Sequence, residues 1–127
     1  MSKRTILLIE PDVVLAETYR SILEKKGFRV RHVFGAQDAV VAADEKKPDL
    51  VICELQLVSH SGIEFLYEFR SYPDWRQIPI IVLSLVPMSE FKDSMFGLVE
   101  RLGVVRYLYK PMTGLVELVR EVDFVIG

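Results

Sequence analysis

Cysteine is nearly absent from this chain: Cys53 stands alone among 127 residues, so no internal disulfide can form. A fold held without covalent staples suits a reducing compartment. Histidine is scarce too, at two residues, and His32, His60 and Cys53 together cannot build a structural zinc site. No apolar run approaches the roughly 18 residues that a membrane span requires. The stretch from Thr5 to Ile9, closed by Glu10, is too short for the apolar core of a signal peptide. Neither sign of charge prevails, with 16 Lys and Arg against 18 Asp and Glu and a formal charge of -2. A nucleic-acid binder usually carries a basic face. These absences predict a cytoplasmic protein that binds neither membrane nor nucleic acid.

What remains is a composition that folds. Half of the residues are hydrophobic and 27% are charged, a globular balance, and 127 residues suffice for one domain spanning 1–127 with a real core. Ile6 to Ile9, Leu50 to Cys53 and Ile78 to Leu83 are short apolar runs of the kind covered on both faces in a parallel sheet. Phe28 to Val33 alternates instead, with Arg29 and Arg31 outward, which predicts an edge strand. Val104 to Leu108 reads as a fifth strand. Between the strands lie amphipathic segments: about Val13 to Lys26 behind an Asp12 N-cap and before Gly27, Ala36 to Lys46, Ile63 to Ser71, Glu90 to Leu102, and Thr113 to Val125. Tyr72 to Gln77 reads as a loop. Strands alternating with helices give a three-layer αβα sandwich, and a flavodoxin-like sheet of order 2-1-3-4-5 is the best match.

That topology gathers the polar residues at successive strand ends. Glu10 and Asp12 follow the first strand, Glu54 the third, Ser84 the fourth and Lys110 the fifth. Acids, a hydroxyl and a lysine at the carboxyl edge of a parallel sheet suit a divalent cation and a phosphoryl group.

On these landmarks, and over essentially its whole length, the chain resembles the receiver domain of two-component response regulators. In that family an acidic pair follows the first strand and a phospho-accepting Asp ends the third. A Ser or Thr ends the fourth strand, Lys-Pro follows the fifth, and an aromatic switch residue lies three before the lysine. Those positions fall here on Glu10-Pro11, Glu54, Ser84, Lys110-Pro111 and Tyr107. The resemblance implies a role in two-component signal transduction or a phosphorelay, and a cis bond between Lys110 and Pro111.

The departures from the family pattern fall on its chemistry. Glu54 replaces the acceptor Asp, and one extra methylene moves the nucleophile by roughly 1 Å, an error that costs on the order of 10²-fold. Pro11 offers no ligand atom where the family usually has a metal-binding acid. Any weak Mg²⁺ site would have to draw on Glu10, Glu54 and the carbonyl of Gln56, so no cofactor is expected. Leu85 is bulky beside the phosphoryl path, and Val58-Ser59 replaces a frequent Pro-Gly. The expectation is an atypical receiver, not an enzyme, that signals by binding. The alternatives are a phosphoreceiver that uses Glu54 with Mg²⁺ at Glu10 and Asp12, and a dimerisation domain of a longer regulator.

The fourth helix carries more apolar residues than one buried stripe needs. The family binds partners and dimerises through the face of the fourth helix, fifth strand and fifth helix. Phe91, Met95, Phe96, Tyr107 and Tyr109 are therefore interface candidates, for a protein partner or a homodimer. Lys110 is expected to neutralise Glu10 and Glu54, Cys53 to be a buried small hydrophobe, and His32 and His60 to lie on the surface.

Overall fold

The computed structural model describes residues 3–58, 61–94 and 96–127, with the Lys92 side chain left aside. The expectations for His60 and Met95 lie outside the described residues. Strands β1 (Thr5–Ile9), β2 (Arg29–Val33), β3 (Leu50–Cys53), β4 (Ile80–Ser84) and β5 (Val104–Tyr109) form one parallel sheet in the order β2-β1-β3-β4-β5. Helices α1 (Val13–Lys25), α2 (Ala36–Glu45), α3 (Gly62–Ser71) and α4 (Leu115–Ile126) cover its two faces. The expected flavodoxin-like architecture is what the chain adopts.

Every residue of β1, β3 and β4 is buried, because helices lie on both sides of these strands. Period-two alternation splits their side chains between two cores. Leu7, Ile9, Val51 and Val82 pack with Ala39, Ala43, Phe65 and Phe69 of α2 and α3. Ile6, Leu8, Ile52 and Ile81 pack with Ala16, Leu23, Leu118 and Val122 of α1 and α4. β2 lies at the edge as expected, with Arg29 and Arg31 exposed and Arg31 bonded to Glu45 of α2 at 2.7 Å.

Local chemistry sets the entry angles of the helices. Asp12 caps α1, its Oδ1 accepting from the Leu15 N–H at 3.0 Å, and Gly27 at φ 98° turns the chain away after it. Gly62 opens α3 against the loop that follows β3. A Cβ there would stand 2.5 Å from the Leu55 Cα and 2.8 Å from the Glu54 carbonyl oxygen, so only glycine fits.

Four expectations need correction. The helix predicted over Glu90 to Leu102 is not continuous: Met88–Ser94 forms 3-10 turns, broken at Phe91 (φ -109°, ψ 19°), and Gly97–Arg101 forms a π-helical turn. Ser89, Asp93 and Ser94 are weak helix formers, and Gly97 costs about 1 kcal/mol relative to alanine. The stretch read as a loop contains a 3-10 turn, Pro73–Trp75, with Trp75 buried and stacked 4.9 Å from Phe69. The Lys110–Pro111 bond is trans, and residues Lys110–Met112 form a 3-10 turn closed by the Thr113 N–H on the Lys110 carbonyl. His32 is half-buried, with its Nε2 2.7 Å from the Glu10 carbonyl oxygen, because the sheet brings the end of β1 alongside β2.

Candidate functional site

The site lies at the carboxyl ends of β1, β3, β4 and β5. The strands deliver Glu10, Glu54, Ser84 and Lys110 to one point, and the two acids are only 1% and 2% exposed. One Glu54 oxygen, Oε1, accepts from Lys110 Nζ at 2.6 Å and from the Leu85 N–H at 3.1 Å. Its Oε2 accepts from the Ser84 hydroxyl and from the Gln56 N–H at 3.0 Å. Glu10 Oε1 lies 2.6 Å from the same ammonium, and Glu10 Oε2 accepts from the Asp12 N–H at 3.0 Å. No buried side-chain nitrogen or oxygen among the described residues is left without a partner. Lys110 therefore bridges both acids, as the sequence predicts.

The electrostatics follow from burial opposed by pairing. Burial by itself pushes the Glu54 carboxyl up, but the bonds from Lys110, Ser84 and Gln56 outweigh it and leave the group below the ordinary carboxylate value. Burial likewise pulls the Lys110 ammonium down, and its bonds to Glu10 and Glu54 carry it above the ordinary lysine value. Burial also raises the thiol of Cys53, so this fully buried cysteine is inert.

A divalent cation fits this arrangement poorly. Mg²⁺ needs several oxygens in octahedral order, and the space between the two acids is taken by the Lys110 ammonium. Pro11 supplies no donor, and Asp12 caps α1 through its Oδ1. Among the described residues no group of three His, Cys, Asp or Glu side chains could hold a metal.

The remaining candidates sit further out. The Tyr107 hydroxyl donates to the Val86 carbonyl at 2.6 Å, and its ring lies 6.1 Å from that of Phe91. Burial first, then the charges of Glu54 and Glu90, push its hydroxyl up to about 12. Phe91 and Tyr107 pack against the core, Tyr109 is half-buried and Phe96 is 73% exposed, so these four do not form one exposed patch. Sequence reasoning missed the two backbone donors to Glu54, from Gln56 and Leu85, because main-chain N–H groups leave no mark in side-chain spacing. It also missed the His32 contact with Glu10.

A sheet of this order, with acids, a hydroxyl and a lysine gathered at its carboxyl edge, defines a CheY-like fold. The chemotaxis protein CheY4 of Vibrio cholerae superposes at a TM-score of 0.86, with 18% identity, over 98% of this chain and 100% of that one. The signal receiver domain of a signal transduction histidine kinase from Syntrophus aciditrophicus gives 0.82 at 27% identity, over 97% and 89%. A family model described as response regulator receiver domain matches residues 6–123. The chain belongs to the response regulator receiver domain family. It is 35% identical over 106 residues to the KDP operon transcriptional regulatory protein KdpE of Escherichia coli (strain K12), covering 84% of this chain and 44% of that protein. The phosphate regulon transcriptional regulatory protein PhoB of Rhizobium meliloti (strain 1021) is 31% identical over 108 residues, covering 85% and 46%. The chain thus spans less than half the length of these regulators. No helix among the described residues is long and apolar enough to cross a membrane.

Proposed function

We propose that this receiver domain is an interaction module of two-component signalling that works without phosphorylation, without a cofactor and without enzymatic activity. One observation carries the reading. The carboxylate at the end of β3 already takes four donors, two on each oxygen: Lys110 and the Leu85 N–H, Ser84 and the Gln56 N–H. An acid whose lone pairs are all engaged is a poor nucleophile, and in-line attack needs positioning within about 1 Å. The poor fit for a cation supports the same reading.

The proposed partner is a protein that docks on the face of residues 88–101, β5 and α4. Support comes from apolar side chains left in water there: Phe96, Val116 and Phe124 are 73%, 72% and 75% exposed. The same face would serve a homodimer, the role expected of a dimerisation domain in a longer regulator.

A second reading, phosphoryl acceptance at Glu54, draws support from Ser84 and Lys110, which converge on the carboxylate as they would on a phosphoryl group. Incubation with a small phosphodonor and Mg²⁺, followed by intact mass, separates the two. The expected result is an unchanged mass. A gain of one phosphate that Glu54→Gln abolishes would overturn the proposal.

A further inference from the structure

α2 covers the sheet with little more than methyl groups. Its buried positions are Ala36, Ala39, Ala42 and Ala43, whereas α3 on the same face buries Phe65, Leu66 and Phe69. Side chains that short leave space where α2 ends, over the amino ends of β1 and β2. A cavity of about 220 Å³ lies there, and Leu7, Val30, Ala42 and Pro48 form its apolar wall. All four are buried.

The opening is basic. Arg29, Arg31 and Lys46 also line the cavity, all three are exposed, and no acid joins them. Glu45 is taken up by Arg31 at 2.7 Å, and Asp49 by the Thr5 N–H at 2.7 Å and Arg4 at 3.8 Å. Among the described residues, Arg29 and Lys46 pair with no carboxylate.

An apolar recess with a few polar groups at one end is the usual form of a small-molecule site. Free cations at the opening set the complement, an apolar body with one anionic end. The volume sets the size. Roughly 150 Å³ admits benzene, and drug-sized ligands take about 300–1,000 Å³. Arginine narrows the anion, because its planar fork matches a carboxylate.

We infer that this cavity binds a small amphipathic carboxylate whose body is about the size of one aromatic ring. The body lies against Leu7, Val30 and Ala42, and the carboxylate meets Arg29 and Lys46. The inference goes beyond the phosphorylation-independent reading and does not rest on it. The cavity lies at the amino ends of the strands, and Glu54 lies at the carboxyl ends. Intact mass tests that reading and leaves this one untouched.

The test uses the ¹⁵N-labelled full chain and phenylacetate, with phenylacetamide as the uncharged control. Phenylacetate is expected to shift the amides of residues 5–7, 29–31, 42 and 46 saturably, and less so as salt screens the charges. Its affinity should fall about tenfold, roughly 1.4 kcal/mol, in the double variant Arg29→Gln/Lys46→Gln. Both positions are on the surface, so the thermal midpoint should hold. Ala42→Leu should abolish binding without lowering the midpoint, since its added carbons enter existing space. Equal binding of phenylacetamide, shifts centred elsewhere or the lack of a saturable shift would overturn the inference. So would an Ala42→Leu chain that still binds, or one whose midpoint drops because the space is already filled.

Discussion

Lys110 is the residue on which the site depends. It stands between two acids that are almost fully buried, and removing one partner of such a group leaves uncompensated charge in the interior. Lys110→Met is expected to lower stability by roughly 3–5 kcal/mol, read from urea unfolding, although the substitution nearly conserves volume. The same triad fixes the pH response. Glu54 sits below its ordinary value, so its stabilisation is complete above the unfolded carboxylate range and is lost as pH falls through the folded value. Lys110 sits above its ordinary value, so its share is complete below the unfolded lysine range and is lost as pH rises through the folded value. The urea midpoint should therefore form a plateau with an acid limb and an alkaline limb. In Glu54→Gln the acid limb should flatten. An unchanged acid limb would assign the acid sensitivity to other carboxylates. The meeting of Glu10, Glu54, Ser84 and Lys110 was legible in the sequence, because each follows an apolar run and parallel strands end at one edge. Gln56 and Leu85 were not, since their contribution is an N–H aimed by loop geometry.

Among the elements, α3 and the segment after β4 contrast most. α3 is anchored at both ends. Gly62 lets its first turn approach the backbone beside Glu54, and Gly62→Ala should cost roughly 1–3 kcal/mol through the displacement it forces, visible as a lower thermal midpoint. At the other end Arg70 donates to the carbonyls of Leu102 at 2.7 Å, Trp75 at 2.6 Å and Ile78, joining α3 to the chain just before β4 and β5. Arg70→Met should cost about 2–4 kcal/mol, since three carbonyls lose a charged donor. Arg70→Lys should recover only part of that loss, lacking the planar fork. The sequence placed Arg70 in the helix but did not reveal this role, because its partners lie on three separate segments. The segment after β4 failed the opposite way. Its apolar spacing suggested a regular helix, but between residues 90 and 102 only Leu98 and Leu102 are buried among the described residues, with Phe91 partly buried against the core. The weak helix propensity of Ser, Asp and Gly then weighs on the backbone.

At the scale of the whole molecule, the proposed partner face is the one that leaves Val116 and Phe124 of α4 in water. Concentration-dependent sedimentation tests whether it pairs copies of the chain. If it does, Val116→Glu should shift the equilibrium to monomer, while Val58→Ser in the loop after β3 should leave it unchanged. A strict monomer at high concentration would remove self-association from the proposed role.

The sequence by itself determined the fold class, the strand order and the set of side chains at the centre of the site. Apolar runs, alternation and capping residues are local signals, and a parallel αβ topology converts them into position with little freedom. Tertiary structure alone decided how Glu54 spends its charge. Two side chains and two backbone N–H groups, from β4, the turn after β5 and two loops, close on one carboxylate, and that depends on distances no linear pattern carries. The hold of His32 on the Glu10 carbonyl has the same origin, since it joins residues far apart in the chain.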